Sequence, residues 1–115
     1  MNFSYSIENK ENYKLLNLAG SLSIASVETF EKLMGSIIDK NNIIINLENI
    51  DAVTSTGLNT LINFSLEAKN YKKRIFLLKP SKQFKFMIEI TKSYEVLYVV
   101  NSVEEGGMKL KYYTS

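Results

Sequence analysis

The stretch Ile43-Ile44-Ile45-Asn46-Leu47-Glu48-Asn49-Ile50-Asp51-Ala52-Val53-Thr54-Ser55-Thr56-Gly57-Leu58 decides the fold. Its opening, Ile43-Ile44-Ile45, is uniformly apolar and β-branched, which suits a short strand buried on both faces of a sheet. Beyond Gly57, residues Leu58, Leu61, Ile62 and Ser65 mark one side of a helix, with Phe64 and Ala68 beside it. That spacing predicts a helix from about Thr56 to Lys69. Glu48 to Ser55 then reads as the connecting loop. The loop runs into the hydroxyl residues Thr54, Ser55 and Thr56, followed by Gly57. Thr56 falls where an N-cap belongs, and a hydroxyl there satisfies an orphan N–H, so capping alone accounts for Thr56 and for Ser55.

Upstream, Phe3 to Ile7 alternates, with Phe3, Tyr5 and Ile7 on one face. The polar stretch Glu8 to Asn12 turns the chain into a second apolar run, Tyr13–Leu18, so the two predict an antiparallel hairpin ended by Gly20. Ser26 reads as an N-cap with Glu28 in the first turn. Val27, Phe30, Leu33, Met34, Ile37 and Ile38 then form a helical stripe, stopped at Asn41-Asn42. Downstream, Asn70 reads as a left-handed C-cap and Ile75–Leu78 as a second buried strand. Pro80-Ser81 opens a third helix carrying Phe84, Met87, Ile88 and Thr91 on one side. Val96 to Val100 predicts a last strand, Ser102 caps a short final helix, and Gly106-Gly107 breaks it. The order is β-β-α-β-α-β-α-β-α. It predicts one α/β domain over residues 1–115, with a mixed, mostly parallel sheet, an antiparallel N-terminal hairpin and about four helices. The core is expected over about 3–105, with 106–115 a loose tail.

Composition narrows the function. The 115 residues hold 14 basic and 12 acidic side chains, a net charge of +2, too small to imply nucleic acid or an anionic membrane. There is no cysteine and no histidine. Thiolate nucleophiles, disulfides, the commonest general base and the commonest zinc ligand are therefore all missing. The N-terminal MNFSYSIENKENYK does not read as a secretory signal, and no apolar run reaches the length of a membrane span. A cytoplasmic binding module is expected, with no catalytic residue, metal or cofactor.

Residues Ile43 to Leu58 resemble the central signature of the STAS family, the anti-sigma factor antagonists, in which an apolar strand and short loop lead to an Asp-Ser-Ser-Gly-Leu-like turn opening a helix. Leu18-Ala19-Gly20-Ser21-Leu22 resembles the family's Gly-x-Leu at the end of its second strand. Ala68-Lys69-Asn70-Tyr71-Lys72-Lys73-Arg74-Ile75-Phe76-Leu77 resembles its helix-end and strand segment, and the likeness runs from about Tyr13 to Val103.

The resemblance implies a partner-switching protein. It would bind a kinase-type anti-sigma factor, a serine-protein kinase, be released by phosphorylation, and be reset by a separate phosphatase. By position Ser55 matches the first hydroxyl of the motif and Thr56 the second, which is the phosphorylated one, leaving Ser55 as second choice. The implied partner surface is Ser21, Ser23, Thr54, Ser55, Thr56, Gly57 and Asn59, on a monomer or weak homodimer. Thr54 and Ser23 stand where phosphorylated members usually carry acids. Those departures favour the alternative, a constitutive scaffold or ligand-sensing STAS domain that is never phosphorylated. Elsewhere, Lys69, Lys72, Lys73 and Arg74 read as a solvated helix end, with no direct nucleic-acid role.

Overall fold

The computed structural model describes residues 2–114. Its elements are β1 (Ser4–Asn9), β2 (Lys14–Leu22), α1 (Ile24–Ile37), β3 (Ile43–Val53), α2 (Ser55–Asn70), β4 (Ile75–Leu78), α3 (Lys82–Ile90), β5 (Tyr98–Val100) and α4 (Val103–Thr114), with a 3-10 turn at Ser93–Glu95. The sheet order is β1-β2-β3-β4-β5. β1 pairs antiparallel with β2, and every other pair is parallel. The expected α/β order therefore stands, with Ile43–Ile45 in the central strand and Ile75–Leu78 beside it.

Alternation along the strands divides the core. Leu16, Leu18 and Leu22 of β2, Ile43, Ile45 and Leu47 of β3, and Leu77 of β4 face one side, where they meet Phe30, Leu33 and Met34 of α1, Leu58 and Leu61 of α2, and Phe84 and Ile88 of α3. Leu15, Ile44, Phe76, Leu78 and Val100 face the other side and meet Leu110 of α4. Past the edge of α4 that second face turns polar. Asn17 Nδ2 donates to Glu8 Oε2 at 2.8 Å, and Asn46 Nδ2 donates to Asn17 Oδ1 at 2.9 Å. The Asn17 bond, with Lys10 beside it, holds the Glu8 carboxyl below its usual range.

Several local readings are corrected. Glu48 to Val53 is strand and not loop: the bulges in the β2–β3 register let Leu47 and Ile50 both face the core while Glu48 and Asn49 stay exposed. Gly20 lies inside β2, where its φ of +96° and the approach of the Asn2 carbonyl, 2.4 Å from where a Cβ would sit, require glycine. Helix α1 starts after Ser23 and not Ser26, because the Ser26 hydroxyl reaches back to accept from the Ser23 N–H at 3.0 Å. It ends at Ile37, whose carbonyl accepts from Asn41 Nδ2 at 2.8 Å. Asn70 stays helical, and Lys72, with φ of 60°, takes the left-handed turn. The last strand begins at Tyr98, since Ser93–Glu95 coil first into the 3-10 turn.

The tail is helical and not loose. Gly106-Gly107 does not break α4, which continues to Thr114 from a cap in which the Glu105 N–H donates to Ser102 Oγ at 3.0 Å. A Cβ at Gly106 would stand 2.6 Å from Ile44 Cδ1, so the glycine lets the helix settle directly on the sheet. Leu110 is fully buried there. Leu110→Ala is therefore expected to destabilise the protein by about 2–5 kcal/mol in denaturant unfolding. A loose tail would show a change within about 0.5 kcal/mol.

Candidate functional site

The carbonyl of Leu22, last residue of β2, organises the site. It accepts the Thr54 N–H at 3.0 Å and lies 3.4 Å from Thr54 Oγ1, which places the end of β2 against the start of α2. The Thr54 hydroxyl in turn accepts the Gly57 N–H at 3.3 Å, and the Thr54 carbonyl accepts the Leu58 N–H at 2.8 Å. Thr54, and not Thr56, is therefore the N-cap. The N–H groups of Ser55 and Thr56 are left at the open, positive end of the helix. A Cβ at Gly57 would stand 2.4 Å from the same Leu22 oxygen, so only glycine allows this approach.

The neighbouring turn is tied in the same way. The Ser26 hydroxyl donates to the Ser21 carbonyl at 2.8 Å while accepting from the Ser23 N–H at 3.0 Å, which fixes Ser21 and Ser23 beside the start of α1. Since Leu22 pairs with Val53, both turns lie at the carboxyl ends of adjacent parallel strands. Grooves there are where open α/β sheets present their sites. The structure thus brings Ser21, Ser23, Thr54, Ser55, Thr56, Gly57 and Asn59 to one end of the molecule. Thr54, Ser55, Thr56 and Asn59 are exposed, Ser21 and Ser23 are half-buried, and Gly57 is buried.

The outward side of α2 continues from the hydroxyls through Asn59 and Asn63 to Leu66, all exposed, and the helix has no charged residue before Glu67. Ile24, the first residue of α1, is 82% exposed, the most of any large apolar side chain among the described residues. Sequence reading passed over Ile24, although it lies off the Phe30–Leu33–Ile37 stripe and so could not serve the core. Among the described residues no carboxylate, histidine or cysteine grouping could hold a metal ion. Among the described residues no helix is long and apolar enough to cross a membrane.

The STAS domain family model matches residues 4–106. The chain belongs to the STAS family. No curated protein matches it. This STAS domain is similar to the structure of an anti-sigma factor antagonist from Mycobacterium paratuberculosis, with TM-score 0.85 and 12% identity over 96% of this chain and 95% of that one. It is also similar to the anti-sigma factor antagonist SpoIIAA in its unphosphorylated form, with TM-score 0.77 and 18% identity over 95% of this chain and 97% of that one. For phosphorylated SpoIIAA, the Bacillus cell fate determinant, the TM-score is 0.71 and identity 19%, over 92% and 98%. At these identities the likeness establishes the shared fold.

Two glycines on helices separate the Gly57 contact from ordinary helix propensity. Gly57→Ala must push the Leu22 carbonyl away, and is expected to cost about 1–3 kcal/mol. Gly35→Ala meets nothing within 4 Å in the last turn of α1. It is expected to stabilise by up to about 0.5–1 kcal/mol. Urea unfolding of both variants reads the difference, and equal effects would remove the special role of the Leu22 contact.

Proposed function

We propose that this STAS domain is an anti-sigma factor antagonist that binds a kinase-type anti-sigma factor through the Thr54–Gly57 turn and the outward side of α2. The carrying observation is the uncharged exposed strip Ser55, Thr56, Asn59, Asn63 and Leu66, on a surface otherwise dotted with charge. Interface centres are depleted in charged residues, because each buried charge must be desolvated. The half-buried Ser21 and Ser23 flank the strip, and the exposed Ile24 provides an apolar anchor beside them.

Phosphorylation of Thr56 is the release step in this reading, and a separate phosphatase restores the binding form. Thr56 is exposed in the first turn of α2, with no acid in that turn to repel a phosphate. The helix end would accept the dianion, while the partner would meet new charge and bulk. That SpoIIAA has been solved in both phosphorylated and unphosphorylated forms agrees with such a switch in a protein of this fold. The competing reading is a constitutive scaffold. It is favoured by Thr54 and Ser23, whose positions are taken up by helix caps where phosphorylated relatives carry acids.

Thr56→Glu separates the two. An acid in the first turn changes helix stability favourably by about 0.3–1 kcal/mol, so the melting temperature should hold or rise slightly. Binding to the anti-sigma factor should fall by several kcal/mol if the strip is the interface. Thr56→Ala serves as the neutral control. Incubation with ATP and the kinase should place phosphate on Thr56. Unchanged binding by Thr56→Glu, with no phosphate found on Thr56 or Ser55, would favour the scaffold.

A further inference from the structure

At the other end of the sheet, roughly 30 Å away along β3, lies a polar cleft of about 300 Å³. It forms where the β1–β2 turn, the approach to β3 and the approach to β4 meet. Its lining includes Lys10, Lys14, Lys40 and Lys73 against one carboxylate, Glu11, a net of three positive charges. The whole chain carries only +2, so the remainder is slightly negative and the excess is gathered here.

The lysines are unequally engaged. Lys10 pairs with Glu8 at 3.4 Å, and Lys14 Nζ donates to Asn9 Oδ1. Lys40 and Lys73 have no side-chain partner among the described residues. Behind them is Asn42, 6% exposed. Its Oδ1 accepts the Arg74 N–H at 2.9 Å and its carbonyl accepts the Lys14 N–H at 2.9 Å, which braces the starts of β2, β3 and β4. Among the described residues its Nδ2 has no protein acceptor, and it is not sealed from solvent, since only Ser65 Oγ is a buried side-chain polar atom without a partner. The residue lines the cleft, so this donor is available to a ligand there, and the lysines around it raise the local positive potential. One compact polyanion would use both.

We propose that this cleft binds a diphosphate group, with Lys40 and Lys73 neutralising its charge and Asn42 Nδ2 donating to one of its oxygens. Lysine suits phosphate as a mobile point charge, and the volume admits more than a single phosphate. The inference is independent of the Thr56 surface, since no lining residue belongs to it.

Calorimetric titration with inorganic pyrophosphate, orthophosphate and a nucleoside diphosphate tests the assignment. Pyrophosphate should bind one per chain, more tightly than orthophosphate and less tightly as salt rises. Equal binding of both diphosphates assigns the inorganic group, and tighter binding of the nucleotide assigns a nucleotide source. Lys40→Ala and Lys73→Ala should each weaken binding by roughly tenfold. Lys82→Ala, an exposed lysine outside the cleft, should leave binding unchanged. Asn42→Asp keeps the acceptor for the Arg74 N–H and removes the donor, so it should abolish binding; should it fail to fold, the lysine variants decide. No saturable diphosphate binding at low salt, or equal losses from Lys82→Ala and Lys40→Ala, overturns the proposal.

Discussion

One carbonyl oxygen, that of Leu22, holds the Thr54–Gly57 end of this STAS domain together. It terminates β2, receives the Thr54 N–H at 3.0 Å, and lies where a side chain at position 57 would have to go. A Thr54 hydroxyl that caps α2 while contacting the same oxygen couples helix start to strand end. The turn carrying Ser55 and Thr56 is consequently fixed by its backbone, leaving both side chains free to face outward. A hydroxyl presented in this way can be recognised, or modified, without rebuilding the fold.

The sheet supports that arrangement by using its faces differently. One is sealed by α1, α2 and α3, and the other is only partly covered by α4, beyond which Asn17, Asn46 and Glu8 satisfy one another. With α2 anchored through Leu58, Leu61 and Ala68, its opposite side is released from core duty. The absence of charge from Ser55 to Leu66 therefore has no origin in packing. Burial against a second protein, as proposed above, would give it one.

The buried runs Ile43–Ile45 and Ile75–Leu78 were legible because nothing except a two-sided core requires such uninterrupted apolarity. Ser102 was legible as a cap because its hydroxyl stands directly before a helical segment, and Pro80-Ser81 was legible as the opening of α3. The hydroxyl turn was located correctly but capped two residues too late, since any of Thr54, Ser55 and Thr56 can cap and the choice rests on the distant Leu22 carbonyl. The outer half of β3 escaped because a bulge breaks its alternation. Gly106 misled because local propensity marks glycine as a breaker, whereas here it clears space for Ile44. The lysine cleft was invisible for a simpler reason: its residues come from separate connections that only the folded sheet brings together.

The most direct measurement is a footprint. Amide chemical-shift changes would be recorded on the unphosphorylated chain as a kinase-type anti-sigma factor from its own organism is added. The account predicts that the changes concentrate at Ser21–Ile24 and along Ser55–Leu66, with α3, α4 and the lysine cleft little affected. Changes centred on α3 or α4, with the Thr54–Gly57 turn silent, would contradict it.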